Sequence, residues 1–310
     1  MSERPLVSAI IPTYNNAPLV VEAVESALAQ TWTPLEIVVA DDGSTDDTAA
    51  RLAAFGDRVR VVTLEHKGPA VARNAAVRAS RGEFIALLDS DDLWLPDKVE
   101  RSVAPMFANA EIGVVYTDFT MWDMVTGRRY SVPCYRKGGR MERDLFRECR
   151  GVCTPTVVVR RTVGDEIGWY DESFFRAQDW DLLVRLAERT LFHFVPESLA
   201  IVRDHPRRLS VVHRDLYREY NLKVIHKAAE RRPDLYGPLC NESLSLAHFR
   251  FAMHSYGDLD LRGARRDLAA SFRLRPNWPA ANYFLRTLLP KRLVARLRQY
   301  KLSRQDVANE

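Results

Sequence analysis

The sequence predicts an α/β protein with a mostly parallel sheet flanked by helices, followed by an all-helical extension. In the first 88 residues, four short apolar runs alternate with segments in which apolar residues recur every three to four positions. This alternation is typical of parallel β-α-β units. From Asp215 onward the periodicity is helical throughout. We therefore predict two domains, an α/β domain over residues 1–212 and a helical domain over residues 213–310.

The elements of the first domain follow from apolar runs and from helical periodicity. In the first predicted helix, Val20, Ala23 and Val24 fall on one face. The basic segment 130–150 shows neither pattern and is predicted to be a loop. We predict strands over 7–11, 35–40, 59–64, 83–88, 113–119, 156–160, 192–196 and 199–203, and helices over 19–29, 45–55, 70–79, 98–107 and from about 177 onward.

Within the helical extension, residues 244–276 resemble a single tetratricopeptide-like hairpin of two helices. A solenoid needs about three such repeats to bury a continuous core. We therefore expect a small helical domain rather than a repeat array.

Composition excludes several classes of protein. Hydrophobic residues make up 46% of the chain and charged residues 28%, which indicates a globular protein. No apolar run is long enough for a membrane span, and residues 1–5 lead directly into a strand, so we expect no signal peptide. The four cysteines lack a zinc spacing, and a reduced, cytoplasmic chain is expected. The net charge is only +4 and acidic groups cluster at strand ends, so we expect no nucleic-acid partner.

Three polar loops follow predicted strands at their carboxyl ends. They are Thr13-Tyr14-Asn15, Asp41-Asp42 and Asp89-Ser90-Asp91-Asp92. In open α/β sheets, ligands bind at the edge where the strands' carboxyl ends meet. We therefore expect the three loops to form one site.

Each of these loops also has a purely structural interpretation. Asp89 and Asp91, two apart in extended chain, can aim at one Mg²⁺ or Mn²⁺ ion, but Asp91 or Asp92 could instead cap the following helix. Asp42 could accept a hydrogen bond from a nucleotide or form a turn. The Tyr14 ring could stack on a base or pack against the protein.

The sequence contains neither a G-x-G-x-x-G after the first strand nor a G-x-x-x-x-G-K-[ST] motif. Phosphates are therefore not expected on a Rossmann or Walker loop. A nucleotide site without such a loop would need a metal ion to screen a diphosphate, and the carboxylates from Asp89 to Asp92 could hold that ion.

Four segments together resemble the family 2 inverting glycosyltransferases of the GT-A fold. They are "SAIIPTYNNAPLVVEAVESALAQTW", "IVVADDGSTDDT", "GPAVARNAAVRASRGEFIALLDSDDLWLPDKV" and "AQDWDLLVRL". The resemblance covers roughly residues 6–212. It implies transfer of a sugar from a nucleotide diphosphate, usually UDP, to an acceptor hydroxyl with inversion.

The resemblance also implies roles for individual residues at the donor site. Asp89 would face the ribose or sugar, Asp91 would be the chief ligand of a Mn²⁺ or Mg²⁺ ion, and Asp92 is a substitute for it. The residues that would hold the nucleotide are Pro12, Thr13, Tyr14, Asp42 and, as a helper, Arg73.

The catalytic base follows from the same resemblance. The family places a Glu-Asp pair at the start of a helix, and this chain has Gln178-Asp179. We predict Asp179 as the base, since a carboxylate can deprotonate the acceptor hydroxyl. The role of the missing Glu is left open at Gln178, and Asp181 is expected to be a solvated or capping group.

A basic string beginning at Arg203 resembles the family's loop over the diphosphate. Arg203 would supply charge, and His205 would be a third metal ligand or a phosphate donor. The alternative is an ordinary basic surface loop before the helical domain.

Residues 286–304 carry seven Lys or Arg and no acidic residue, with an apolar stripe at Leu289, Leu293, Leu297 and Tyr300. The preferred expectation is that this amphipathic helix packs on the helical domain. Peripheral contact with the inner face of a membrane is the alternative.

These observations predict a metal-dependent, cytoplasmic sugar transferase that acts on a saccharide or lipid-linked saccharide in cell-surface polysaccharide synthesis. One alternative is a non-catalytic nucleotide-sugar binder, in which Gln178 marks the loss of chemistry. In a further alternative, compatible with the first, the helical extension docks the enzyme into an assembly.

Overall fold

A computed structural model describes residues 4–132, 134–149, 151–208 and 216–296. The chain divides into two compact units, one of Met1–Leu145 with Cys149–Tyr220 and one of Phe146–Glu148 with Asn221–Glu310. The predicted α/β class and the C-terminal helical region are confirmed. The predicted boundary near residue 212 lies outside the described residues and stays a prediction.

The first unit begins with four parallel strands and the helices that connect them. The strands are β1 (Val7–Thr13), β2 (Leu35–Asp41), β3 (Arg60–Thr63) and β4 (Phe84–Leu87), in the order β3-β2-β1-β4. The helices are α1 (Ala17–Leu28), α2 (Thr48–Ala53) and α3 (Pro69–Ala79). Strands β1 and β4 are almost wholly buried, which explains their continuous apolar runs. The predicted β-α-β units are confirmed.

The register of these strands brings their carboxyl ends to one edge of the sheet. Thr13 pairs with Asp41, which in turn pairs with Thr63. The turn after β2 is tight at Gly43, where φ is +79° and a Cβ atom would lie 2.9 Å from a backbone nitrogen. A residue other than glycine would be strained and crowded there.

The rest of the sheet is mixed in direction. Its strands are β5 (Leu93–Trp94), β6 (Ile112–Asp123), β7 (Arg129–Val132), β8 (Val158–Arg160) and β9 (Leu191–Asp204). The path continues β4-β8-β6-β9-β5, and β7 pairs with β6. Strand β9 runs parallel to β6, whereas β8 is antiparallel to both β4 and β6. The helices are α4 (Lys98–Ala108), α5 (Glu142–Arg147), α6 (Arg161–Ile167) and α7 (Gln178–Ala187).

Two predictions about this half were wrong. Segment 130–150 is not all loop, because it contains the end of β7 and helix α5. The two short strands predicted over 192–203 form the single strand β9. Its register against β6 skips from Val195 to Ser198. Pro196, which has no N–H to donate, lies in this bulge.

The first unit has a large hydrophobic core where helices pack against the sheet. It is built from apolar residues of the strands, of α1 and of α4, among them Ile11, Val20, Val39, Val99 and Val115. The four cysteines are free thiols, and all lie in the described part of the chain.

The second unit is helical. Its first helix is α8 (Tyr217–Arg231), of which all but the first four residues belong to this unit. The helices that follow are α9 (Pro233–Tyr236), α10 (Cys240–Gly257), α11 (Leu261–Leu274) and α12 (Trp278–Thr287). The predicted hairpin over 244–276 is present as α10 and α11, and Asp260 caps α11 by accepting the Gly263 N–H at 3.0 Å. Ala252, Leu268 and Ala280 form a small core shared by three helices. None of the described helices has the length and apolar composition needed to cross a membrane.

Candidate active site

A cleft of about 480 Å³ lies at the edge of the sheet where β1, β2 and β4 end. It is lined by every predicted site residue except Asp92 and Arg203, namely Pro12, Thr13, Tyr14, Asp42, Arg73, Asp89, Asp91, Gln178, Asp179 and His205. The structure thus brings together the three polar loops that the sequence analysis placed at one edge.

One wall of the cleft carries a pair of stacked rings. The Tyr14 and His66 ring centroids are 3.9 Å apart with an interplanar angle of 20°. Tyr14 is 43% exposed. An exposed aromatic face of this kind suits the π-face of a nucleobase.

Asp42 organises the loop that carries His66. Its carboxylate is buried, and it accepts the N–H groups of Lys67 at 2.9 Å and Gly68 at 2.8 Å. Its Oδ2 also lies 3.1 Å from Nδ1 of His66. The carboxylate therefore fixes both the position of His66 and the start of helix α3.

The three carboxylates after β4 converge. Asp89, Asp91 and Asp92 each offer an oxygen within 4.8 Å of the others. Asp89 is paired with Arg73 at 2.5 Å, and Asp91 Oδ2 lies 3.2 Å from Nε2 of His205. Asp92 is buried and does not line the cleft.

Burial and mutual repulsion separate the acidities of the three carboxyl groups. Burial, followed by the charges of Asp91 and Asp89, raises the pKa of Asp92 well above its usual value. Burial also raises the pKa of Asp89, against the opposing effect of Arg73. Burial works to raise the pKa of Asp91 too, but the hydrogen bond from His205 and the charge of Arg208 outweigh it, so the pKa is lowered. Asp91 is therefore the most readily ionised of the three.

This set of donors fits a hard divalent cation. Carboxylate oxygens are the ligands that Mg²⁺ and Mn²⁺ prefer, and an imidazole nitrogen is also acceptable to Mn²⁺. Asp91 and His205 both line the cleft. These two side chains could bind the ion where it faces the cleft, with Asp89 or Asp92 as a further ligand.

Arg73 presents unused donors to the cleft. The side chain is only 6% exposed, and its guanidinium lies 5.4 Å from the centre of the Tyr170 ring. One nitrogen bonds Asp89, while Nε and Nη1 are buried without a hydrogen bond to any described residue. Buried donors are normally paired, so these two point to an anionic or carbonyl ligand.

Asp179 lies in the first turn of α7. Its Oδ1 accepts the N–H of Trp180 at 2.9 Å, and the buried Trp180 ring donates from Nε1 to the Leu145 carbonyl at 2.7 Å. Ala177, just before the helix, has the left-handed backbone φ 55°, ψ 20°. Such strain in a residue other than glycine persists only where the surroundings impose it, and it is concentrated at functional sites.

Gln178 also faces the cleft. It is 6% exposed, and its Oε1 is buried with no hydrogen-bond partner among the described residues. An unpaired buried acceptor beside Asp179 is suited to a hydroxyl donor from a ligand.

Asp181 and Arg203 lie elsewhere than expected. The expectation that Asp181 is solvated or a cap is wrong, because it is 2% exposed and pairs with Arg185 at 2.7 Å. Arg203 is fully buried and donates to Glu22, to the Asp91 carbonyl and to the Leu19 carbonyl. This placement favours a role for Arg203 in positioning the carboxylates rather than in direct contact with a diphosphate. Its backbone N–H donates to Asp92 at 2.8 Å.

Four charged or titratable lining residues had no role assigned from the sequence: His66, Arg176, Arg207 and Arg208. His66 follows β3, the one parallel strand whose exit loop was not considered. Arg207 and Arg208 lie two and three residues after His205, beyond Pro206, and a pair of arginines so near a predicted metal ligand was a usable signal.

Comparison with known proteins adds to this geometry. The family profile described as "Glycosyl transferase family 2" matches residues 8–168. Chondroitin synthase of Escherichia coli is 32% identical over 246 residues, which are 76% of this chain and 35% of that protein. The UDP-Glc:alpha-D-GlcNAc-diphosphoundecaprenol beta-1,3-glucosyltransferase WfgD of Escherichia coli is 40% identical over 116 residues, 37% of this chain and 46% of that protein. The chain spans 35% to 64% of the length of the first curated relatives.

Solved structures share the fold. Staphylococcus aureus TarS 1–349 in complex with UDP-GlcNAc has a TM-score of 0.65 and 19% identity, over 87% of this chain and 81% of that chain. The mannosyltransferase PcManGT from Pyrobaculum calidifontis, in complex with GDP-Man and Mn²⁺, has a TM-score of 0.64 and 22% identity, over 98% of this chain and 83% of that chain.

Proposed function

Because this chain belongs to glycosyl transferase family 2, we propose that its cleft binds a nucleotide-diphosphate sugar and transfers the sugar, with inversion, to a hydroxyl group. The observation that carries the proposal is that one cleft is lined by the stacked rings, by Asp89 and Asp91 of the carboxylate cluster, and by Asp179. The donor we propose is a UDP-sugar. The acceptor we propose is a saccharide or lipid-linked saccharide in cell-surface polysaccharide synthesis, which the names of chondroitin synthase and WfgD support.

Asp179 is the proposed base. Because Oδ1 accepts the Trp180 N–H, the carboxylate is oriented and Oδ2 is left for the acceptor hydroxyl. Oδ2 takes the hydroxyl proton while the acceptor oxygen forms a bond to the anomeric carbon. The bond from that carbon to the diphosphate oxygen breaks, and the diphosphate departs with the electron pair. General-base catalysis of this kind contributes about 10²–10⁴ to a rate.

The donor is proposed to lie between the ring pair and the carboxylates. Tyr14 offers a face for the base. The Nε and Nη1 groups of Arg73, which bond no described residue, suit an oxygen of the nucleotide or of its phosphates. Arg207 and Arg208, on the loop beside His205, add positive charge to the same cleft. Gln178 is proposed to contact the acceptor with Oε1, which has no hydrogen-bond partner in the described part of the chain.

The metal is proposed to be Mn²⁺ or Mg²⁺, held by Asp91 and His205 with Asp89 or Asp92. A bound divalent ion neutralises negative charge on the departing diphosphate. Within the chain, Arg203 holds the backbone of this turn by donating to the Asp91 carbonyl and to Asp92. The carboxylates are thereby kept together despite their mutual repulsion.

Asp179→Asn tests the proposal, with Asp57→Asn as a control of the same chemistry on an exposed side chain outside the cleft. Each protein is incubated with UDP-sugars and Mn²⁺, and the release of UDP is measured with and without saccharide acceptors. We expect Asp179→Asn to lose about 10²–10⁴ in rate and to keep its nucleotide affinity, whereas Asp57→Asn keeps both.

Wild-type turnover in Asp179→Asn would exclude Asp179 as the base. Binding of UDP-sugar by the wild-type chain, with no turnover for any acceptor, would favour the alternative of a non-catalytic nucleotide-sugar binder in which Gln178 marks the loss of chemistry. A thermal-shift screen of nucleotide sugars with Mn²⁺ and with chelator identifies the donor and tests the metal in one experiment. The cytoplasmic location and the absence of a nucleic-acid partner stay predictions.

A further inference from the structure

Helix α12 in the second unit carries apolar side chains on two faces. Ala280 is fully buried, packs with Ala252 and Leu268, and lies seven residues from the buried Thr287. Trp278 and Leu285, also seven residues apart, are 74% and 59% exposed. At about 100° per residue, the two pairs lie on roughly opposite sides of the helix. The Trp278–Leu285 face is therefore not part of the core of this unit.

The segment after α12 also carries exposed apolar side chains. Leu288, Leu289 and Leu293 are 57%, 36% and 42% exposed, whereas Val294 is fully buried. The preferred expectation that the stripe packs on the helical domain is thus not met by Leu289 and Leu293. The stripe's other members, Leu297 and Tyr300, lie outside the described residues.

Helix α11 presents a row of positive charge. Arg262, Arg266 and Arg273 are exposed and, at spacings of four and seven, share one face. None of the three has an ion-pair partner in the described part of the chain. The opposite face of α11 holds the buried Ala264 and Leu268.

The charge balance of this region is strongly one-sided. Residues 261–296 contain nine Lys or Arg and one acidic residue. That acid, Asp267, is 1% exposed and pairs with His248 at 3.1 Å. The solvent-facing side chains of the stretch therefore carry positive charge only. One of the arginines, Arg275, is paired with Glu242.

We propose that the outer faces of α11 and α12, together with residues 288–296, are a docking surface for an anionic lipid bilayer. A tryptophan and four leucines can enter the interface, while the surrounding Lys and Arg side chains meet lipid phosphates. The proposal goes beyond the proposed function, because it is carried by the second unit alone and does not depend on the chemistry of the cleft.

The alternation of apolar and basic side chains favours a bilayer over a protein partner. The centre of a protein–protein interface is depleted of charge. Here exposed leucines alternate with Lys291, Arg292 and Arg296. Such a pattern is typical of helices that lie in the headgroup region of anionic membranes.

Vesicle co-sedimentation of the full chain tests the proposal, with vesicles of phosphatidylcholine alone or mixed with phosphatidylglycerol. We expect binding to the mixed vesicles only, weakened by high salt. The double variant Trp278→Gln, Leu285→Ser should lose binding about tenfold or more. Changing Arg262, Arg266 and Arg273 to Gln should weaken it similarly. The control is Val125→Ser, which removes an apolar side chain of the first unit that is 75% exposed.

Each remaining outcome overturns the proposal. Equal binding by wild type and by the Trp278–Leu285 variant, with unchanged thermal midpoints, would exclude the α12 face. Loss of binding on ending the chain at Arg296 would assign the contact to residues 297–310 instead. If wild type is a dimer in size-exclusion chromatography, the variant a monomer, and neither binds vesicles, the face is an interface between two copies. Turnover in solution is measured in parallel, so failure of this proposal is separable from failure of the transferase assignment.

Discussion

For Asp42→Asn, the hydrogen bonds of the carboxylate give a specific expectation for the loss in free energy of unfolding. The buried carboxylate accepts two backbone N–H groups, from Lys67 at 2.9 Å and from Gly68 at 2.8 Å. An asparagine keeps one acceptor oxygen, but its NH₂ group then faces the other N–H. One hydrogen bond to a charged acceptor is lost, and a buried N–H is left unpaired.

Hydrogen bonds to charged groups contribute about 1.5–3 kcal/mol, so we expect Asp42→Asn to lower the free energy of unfolding of the first unit by about that amount. Asp41→Asn is the matched control. Asp41 is equally buried but accepts the Ser44 N–H through Oδ1 at 3.0 Å, a bond that an amide oxygen can keep. Its expected cost is below about 1 kcal/mol.

Urea unfolding of the three proteins, followed by circular dichroism, measures the difference in midpoint at constant slope. Nucleotide affinity should fall in Asp42→Asn alone, because the loop that holds His66 against Tyr14 is loosened. Equal midpoints for the two variants would refute the reasoning. So would a normal midpoint with lost affinity, since Asp42 would then act on the ligand and not on the loop.

Replacing Lys98 and replacing Arg203, two buried cations, are expected to change the free energy of unfolding in opposite directions. Burial lowers the pKa of Lys98 well below its ordinary value of 10.5, so the unfolded chain binds this proton more tightly and stability rises with pH toward that value. Lys98→Met should therefore raise the free energy of unfolding at neutral pH by about 1–3 kcal/mol, and the gain should shrink as the pH approaches 10.5; urea midpoints that show a gain independent of pH would contradict this. Arg203→Met should instead lower the free energy of unfolding by about 2–4 kcal/mol, because the carbonyls of Leu19 and Asp91 lose the N–H groups that the guanidinium donates. Calorimetry at neutral pH measures the loss. An unchanged melting temperature would count against this expectation.

The first half of the fold could be predicted because its signals are local. Strands β1, β2 and β4 are mostly apolar and buried, and parallel pairing then brings their polar exit loops to one edge. Strand β9 could not be predicted as one element, because its continuity across Pro196 depends on pairing with β6, far away in the chain. Helix α5 was missed because it has only six residues, fewer than two turns, and lies in a basic segment.

The site shows the same division. The location of Asp179, Asp91 and Tyr14 in one cleft could be predicted, because motifs at strand and helix ends carry them; their roles stay predictions. The burial of Asp181 was missed, although its partner Arg185 lies four residues on, a spacing that favours an ion pair on a helix. The burial of Arg203 could not be predicted, because its partner Glu22 is 181 residues away in the sequence.

The Tyr14–His66 stack has a consequence for how fast a nucleotide can bind. With ring centroids 3.9 Å apart, no third ring fits between them unless they first separate. A base that adds to the outer face of Tyr14 meets a preformed surface, so its observed association rate should rise linearly with nucleotide concentration. A base that inserts must wait for the rings to open, and its observed rate should level off at the opening rate. A stopped-flow fluorescence plot of observed rate against nucleotide concentration therefore distinguishes stacking on Tyr14 from insertion between the two rings.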